Sequence, residues 1–252
     1  MTQANEPTAA LLIIGDEILS GRTQDSHLVT LAQRLGPLGI RVAEVRIVSD
    51  ETADIVAAVN ALKARYTYVF TTGGIGPTHD DITADAIAAA FGVPISHHPE
   101  VMALLAAHYP PGQFNEARQR MARIPQGASL IDNPVSKAPG FRIGNVFVLA
   151  GVPRVMVAML ESVVPSLTGG APLQSRTIGV YAPEGAIAEG LGIVARDNPD
   201  VSIGSYPFYT KERFGANLVV RSGNLQALEA AVAQVKQMLR SSGFEAHEGE
   251  LR

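Results

Sequence analysis

Cysteine is absent from this chain, so neither a disulfide nor a thiolate metal site is open to it. Tryptophan is absent too, and aromatic residues make up only 6% of the 252 positions. There is no basic run and the formal net charge is −4, which argues against nucleic acid as a partner. No apolar stretch approaches the roughly 20 residues of a membrane span, so no membrane association is expected. Nothing ahead of Asp16 combines a basic segment with a long apolar core, so no signal peptide is predicted and the protein reads as cytoplasmic. A G-x-S-x-G nucleophile motif is also missing.

What is present is the composition of a globular protein, with 46% hydrophobic and 17% charged residues. Residues 1–8 are polar and predicted to fray. An apolar run from Ala9 to Ile14 then predicts a buried strand. Helical spacing follows over Gln24–Leu35, a strand over Arg41–Val48, a helix over Thr52–Arg65, a strand at Tyr68–Phe70 and a helix over Thr83–Phe91. This alternation predicts a mostly parallel sheet with helices on both faces, the α/β class. Residues 97–127 predict helices near Glu100–His108 and Asn115–Arg123 separated by a loop at Pro110–Gly112. Phe141–Ile143 and Val146–Leu149 read as a hairpin, and Arg154–Val164 as a helix.

Turn formers crowd residues 165–175, which places a boundary between domains at 1–168 and 169–252. Beyond it the pattern is strand 176–181, helix 187–196, strands 201–205 and 216–221, helix 225–240 and strand 244–247. That βαββαβ order predicts a small α+β, ferredoxin-like domain.

The strongest chemical signal is Gly73-Gly74-Ile75-Gly76, between a buried strand and a helix that opens after Asp80-Asp81. Glycines there let backbone N–H groups approach phosphate oxygens, and a helix N-terminus adds a favourable dipole. A plain tight turn with an aspartate cap would use the same residue types. Asp80 and Asp81 can therefore cap the helix or hold a hard cation such as Mg²⁺. Asp16 and Glu17 end the first strand and Asp50 follows the second, so all three belong to the same sheet edge. Asp16 and Glu17 have two readings as well: part of a metal site, or a turn cap and a solvated carboxylate. His79 can reach a phosphate. Lys137 and Arg154 can supply positive charge to an anion or simply face solvent. His97-His98 lies outside metal spacing and reads as a polar loop.

Together, Gly15-Asp16-Glu17-Ile18-Leu19 with Gly21, Thr72 to Thr83, Ala138-Pro139-Gly140-Phe141 and Gly151-Val152-Pro153 resemble the CinA-like family. The resemblance is to its N-terminal domain of the molybdopterin-binding type, shared with MoaB and MogA. Gly204 to Phe208 resembles the small domain that follows in that family, where it is described as KH-like. The acidic chain lacks a basic G-x-x-G loop, so RNA binding is not expected from it.

The resemblance implies a three-layer α/β/α first domain whose cleft takes a phosphate-bearing pterin or nucleotide. It assigns ligand contacts to Gly73, Gly74, Gly76, Pro77, Thr78, Asp50, Gly151 and Pro153. In molybdenum-cofactor members the aspartates matching Asp81 and Asp50 serve the molybdopterin site; on a hydrolase reading Asp81, Asp80 and Lys137 are expected to be catalytic, with a divalent metal on Asp80, Asp81 and Asp16 or Glu17. The activity implied is metal-dependent hydrolysis of pyrophosphates of the ADP-ribose or FAD type. The alternative is a molybdopterin or nucleotide carrier without turnover. A homo-oligomer, dimer or trimer, is expected, with the second domain as a contact. Thr23-Gln24-Asp25-Ser26-His27 departs from the family's usual Asn-Thr-Asn or Asp-Thr-Asn, leaving Ser26 and His27 for polar contacts. Family members usually continue into an amidohydrolase domain acting on nicotinamide mononucleotide, an activity not expected of these 252 residues.

Overall fold

A computed structural model describes residues 7–210 and 213–252. Most of the polar leader, residues 1–6, therefore lies outside the described residues, and Thr8 already belongs to the first strand. The chain divides into two compact units, residues 1–170 and 171–252.

In chain order, the first unit contains β1 (Thr8–Ile14), α1 (Asp16–Leu19), α2 (His27–Leu35), β2 (Arg41–Val48), α3 (Thr52–Lys63), β3 (Tyr68–Thr72) and α4 (Thr83–Phe91). It continues with β4 (Ile95–His97), α5 (Pro99–His108), α6 (Glu116–Gln119), β5 (Arg123–Pro125), β6 (Ser129–Ile131), β7 (Gly140–Ile143), β8 (Val146–Leu149) and α7 (Pro153–Val163). The main sheet has the order β2-β1-β3-β8-β7-β6. Its first four strands run parallel, and β7 is antiparallel to both of its neighbours.

Side chains alternate across β1. Ala10, Leu12 and Ile14 pack with α3, α4 and α5 on one face. Ala9, Leu11 and Ile13 pack with α2 and α7 on the other. Burial on both faces is why β1 and β3 read as continuous apolar runs. The result is the expected three-layer α/β/α domain.

Three short strands were not predicted. Ile95–His97 pairs antiparallel with Arg123–Pro125 in a separate two-stranded sheet, and Ser129–Ile131 pairs with β7. His97 therefore ends a strand and His98 precedes α5, where a polar loop was expected. Three-residue strands carry too few positions to show a period, and a proline lies within β5.

The second unit contains β9 (Gln174–Val180), α8 (Glu184–Asp197), β10 (Ser202–Tyr209), β11 (Phe214–Ser222), α9 (Leu225–Ser241) and β12 (Ala246–Glu248). Its strands are all antiparallel, in the order β10-β11-β9-β12. This is the ferredoxin-like, split βαβ arrangement. Leu228, Val232, Val235 and Leu239 of α9 and Ile187 and Val194 of α8 close its core over Ile178, Leu218 and Val220. No helix among the described residues is long and apolar enough to cross a membrane.

Candidate functional site

β1 and β3 are neighbours in the sheet, with Ile13 opposite Thr72. After β1 the chain passes to α2 on one face, and after β3 to α4 on the other. Connections that diverge in this way leave a crevice beyond the strand C-termini, the usual place for a ligand in a parallel sheet. Four loops meet there: Gly15 to Glu17 after β1, Ser49-Asp50 after β2, Gly73 to Gly76 after β3, and Ala150-Gly151 after β8.

The glycine turn is held close against its surroundings. Gly73 has φ 102°, and a Cβ on it would strike the Ile14 carbonyl oxygen. A Cβ on Gly76 would lie 2.6 Å from Asp81 Oδ2. Gly151 packs directly on Gly73. Thr83 fastens the turn to α4: its backbone N–H donates to the Gly74 carbonyl at 3.0 Å, and its buried hydroxyl to the Gly73 carbonyl at 3.0 Å. Among the described residues, no protein acceptor faces the N–H groups of Gly74, Ile75 or Gly76. Such a row of free backbone donors ahead of a helix suits an anionic ligand.

The two adjacent aspartates have different surroundings. Asp81 is half-buried and accepts from the Thr78 backbone N–H at 2.7 Å and the Thr78 hydroxyl at 2.5 Å, so it closes the turn. Asp80 is exposed, as are Pro77, Thr78 and His79. The neighbouring Thr78 hydroxyl, its own backbone N–H and the charge of His79 hold its carboxyl below the usual range, although the Thr78 hydroxyl itself donates to Asp81.

Asp50 behaves in the opposite way. Its Oδ2 accepts from the Asp16 backbone N–H at 3.0 Å. Burial pushes its carboxyl upward, and the charges of Asp16, Glu17 and Asp80 add to the rise, against the lowering effect of that hydrogen bond. Asp50 thus lies close enough to feel the charge of each of the other three carboxylates. The Glu17 carboxylate folds back over Gly15. Among the described residues, no group of three or more His, Asp or Glu side chains is arranged to hold a metal ion by itself.

Two clefts flank the turn. The first lies toward α4 and is lined by Gly74, Gly76, Asp81, Arg120, Arg123 and Phe141. Arg123 pairs with Asp85 at 2.5 Å. The buried Nε of Arg120 has no hydrogen-bond partner. The second cleft lies toward α2 and α7, where Glu17, His27, Thr72, Gly73, Gly151 and Pro153 contribute to its wall.

Lys137 and Arg154 line neither cleft. Lys137 sits at φ 63° in a turn built by the buried Asn133, whose amide donates to Ser136 Oγ at 2.6 Å and to the Ala138 carbonyl at 2.7 Å. Arg154 is exposed in the first turn of α7. Arg120 was not singled out as a site residue from the sequence, whereas His27, with Ser26, was expected to supply polar contacts and does line the second cleft. Arg120 carries no local signal in a short helical stretch.

Residues 10–169 match the family described as a probable molybdopterin binding domain, and residues 172–248 match the FAD synthase middle domain. A CinA-like protein of Citrifermentans bemidjiense is 40% identical over 201 residues, covering 75% of this chain and 49% of its own length. A probable FAD synthase of Caenorhabditis elegans is 29% identical over 261 residues, covering 92% of this chain and 50% of its own. The chain thus spans about half the length of these two relatives. A crystal structure of the protein CinA from Thermoplasma acidophilum, of unknown function, superposes with a TM-score of 0.61 at 30% identity. That superposition covers 65% of this chain and 99% of the other.

Proposed function

The chain belongs to the family of probable molybdopterin binding domains, in its CinA-like branch, and on that premise we propose that its first domain binds the pyrophosphate of a nucleotide and hydrolyses that linkage with a divalent cation. The observation that carries the reading is the juxtaposition at one sheet edge of free backbone donors on Gly74, Ile75 and Gly76 with the carboxylates of Asp50, Asp80, Asp16 and Glu17. Donors alone would hold a phosphate. Carboxylates alone would repel it. Both together suit a phosphate that arrives with a cation.

The residues fit such a cation in a particular way. No protein-built cage of three or more ligands is present among the described residues. Mg²⁺, however, commonly takes one or two carboxylates and completes its shell with water and substrate phosphate. Burial first, and then the neighbouring carboxylates, penalise the charge on Asp50, and a cation would offset that penalty. Asp50 and Asp80 would hold it, with Asp16 and Glu17 adding negative field. When bound, the cation would polarise the phosphoryl oxygens and acidify a nearby water.

The chain's own part is positioning and charge. The N–H groups of Gly74 to Gly76 would bind non-bridging phosphate oxygens, where charge develops as the linkage breaks. Arg120 would face the same oxygens from the wall of the first cleft. Asp81 would keep the turn in shape through Thr78 and need not touch the substrate.

The test is hydrolysis of ADP-ribose, FAD and NAD by the full chain, with and without Mg²⁺, Mn²⁺ or Co²⁺. Metal-dependent release of AMP that falls at least about a hundredfold in Asp50→Asn supports the reading, in the range expected when a charge-stabilising group is lost. Binding of a pterin or nucleotide with no turnover under any metal would favour the carrier instead.

A further inference from the structure

The second cleft contains polar groups that the proposed hydrolysis does not use. His27 opens α2 and is only 6% exposed. Among the described residues, neither of its ring nitrogens has a hydrogen-bond partner. Nδ1 lies 3.3 Å from Asp25 Oδ1, an ion-pair distance without a hydrogen bond, and the same oxygen accepts from the His27 backbone N–H at 2.9 Å. Asp25 Oδ2 accepts from the Leu28 N–H at 3.2 Å. Asp25 is thus occupied in capping the helix. Across the cleft, Thr72 is 1% exposed and its hydroxyl is also unpartnered.

Buried polar groups normally find partners, and two orphans on the wall of one cleft call for an explanation. The contrast with Thr83, on the other side of the same turn, is direct. Its hydroxyl is equally buried but is satisfied by the Gly73 carbonyl.

The remainder of the wall narrows the partner's chemistry. Ile13, Ile18 and Pro153 supply apolar surface, and Glu17 and Asp25 supply carboxylates. Among the described residues, no lysine or arginine lines this cleft. A second phosphate would therefore be repelled. An uncharged group rich in hydroxyls would not be, because carboxylates accept readily from a sugar diol. An imidazole can donate and, when neutral, accept, and a threonine hydroxyl can do both.

We propose that His27 and Thr72 are recognition residues for the ribose-bearing half of a nucleotide, seated in the second cleft while its phosphates lie on the glycine turn. Gly73 belongs to both the turn and the cleft wall, so the two parts of the ligand meet there. This assignment rests on the pyrophosphate reading of the turn.

The experiment is titration calorimetry of the full chain with ADP-ribose and separately with inorganic pyrophosphate, both with Mg²⁺. It is run on the wild type, Thr72→Val and His27→Leu, alongside the imidazole NMR resonances of His27. Each variant should weaken ADP-ribose about tenfold, the loss expected for one buried hydrogen bond, and leave pyrophosphate within about twofold. ADP-ribose should also shift the His27 resonances, and pyrophosphate should not. Wild-type-like ADP-ribose affinity in both variants would overturn the assignment while leaving the pyrophosphate reading intact. So would parallel loss of both ligands in folded protein, or His27 resonances that ignore ADP-ribose. If a variant does not fold, the wild-type resonances decide. A wild type that binds neither ligand would remove the pyrophosphate reading, and this assignment with it.

Discussion

At the scale of single residues, the site depends on what sits where a Cβ would be and on which carboxylates have neighbours. In Gly73→Ala the new methyl group would run into a backbone carbonyl, at a φ of 102° that alanine disfavours. In Gly76→Ala it would meet the movable carboxylate of Asp81. Gly73→Ala should therefore cost about 2–4 kcal/mol in urea unfolding and Gly76→Ala about 1 kcal/mol. Equal costs would contradict this description of the turn. For Asp50 the sign follows from its raised carboxyl. The native state holds that proton more tightly than the unfolded chain. Asp50 is thus without penalty below its ordinary value of 3.8, and stability falls as pH rises through the raised native value. Asp50→Asn should flatten the fall in stability that begins as pH rises above the ordinary value of 3.8, and Mg²⁺ should raise the melting temperature of the wild type more than that of the variant. An identical Mg²⁺ response would show that Asp50 does not face the cation. The glycine run was legible in the sequence because it follows a buried strand. The division of labour between Asp80 and Asp81 was not. Adjacent carboxylates look alike until Thr78 closes on one of them. Arg120, and the orphaned burial of His27, were hidden for a related reason, since a missing hydrogen-bond partner is a property of tertiary surroundings.

At the scale of elements, the long periodic segments could be read with little error. Arg41–Val48 and Thr83–Phe91 have the boundaries that spacing predicted, and α2 starts later because Asp25 caps it from outside. What escaped were β4, β5 and β6, whose pairing is decided by neighbours and not by their own pattern. Capping gives a direct test in the second unit. Asn224 accepts from the N–H groups of Gln226 and Ala227 and opens α9, which covers that unit's core. Asn224→Ala should destabilise the second unit by about 1 kcal/mol, read as a lower melting temperature, with nucleotide binding to the first unit unchanged. No change in melting would mean that the cap is dispensable there.

At the scale of the molecule, each unit carries its own buried core, two clusters on either face of the main sheet in the first and one in the second. All four loops of the candidate site come from the first unit. Residues 1–170 alone should therefore unfold cooperatively and bind ADP-ribose within about twofold of the full chain. A fragment that folds but no longer binds would place an essential ligand contact in the second unit. On the proposed function, cation and pyrophosphate share one sheet edge, each making the other's site. The most direct measurement is Mn²⁺ binding to the full chain by electron paramagnetic resonance, with and without saturating ADP-ribose. The account predicts weak Mn²⁺ binding alone, strengthened about tenfold or more by ADP-ribose and abolished as a coupling in Asp50→Asn, because linkage between two ligands is reciprocal. Mn²⁺ affinity indifferent to ADP-ribose would contradict it.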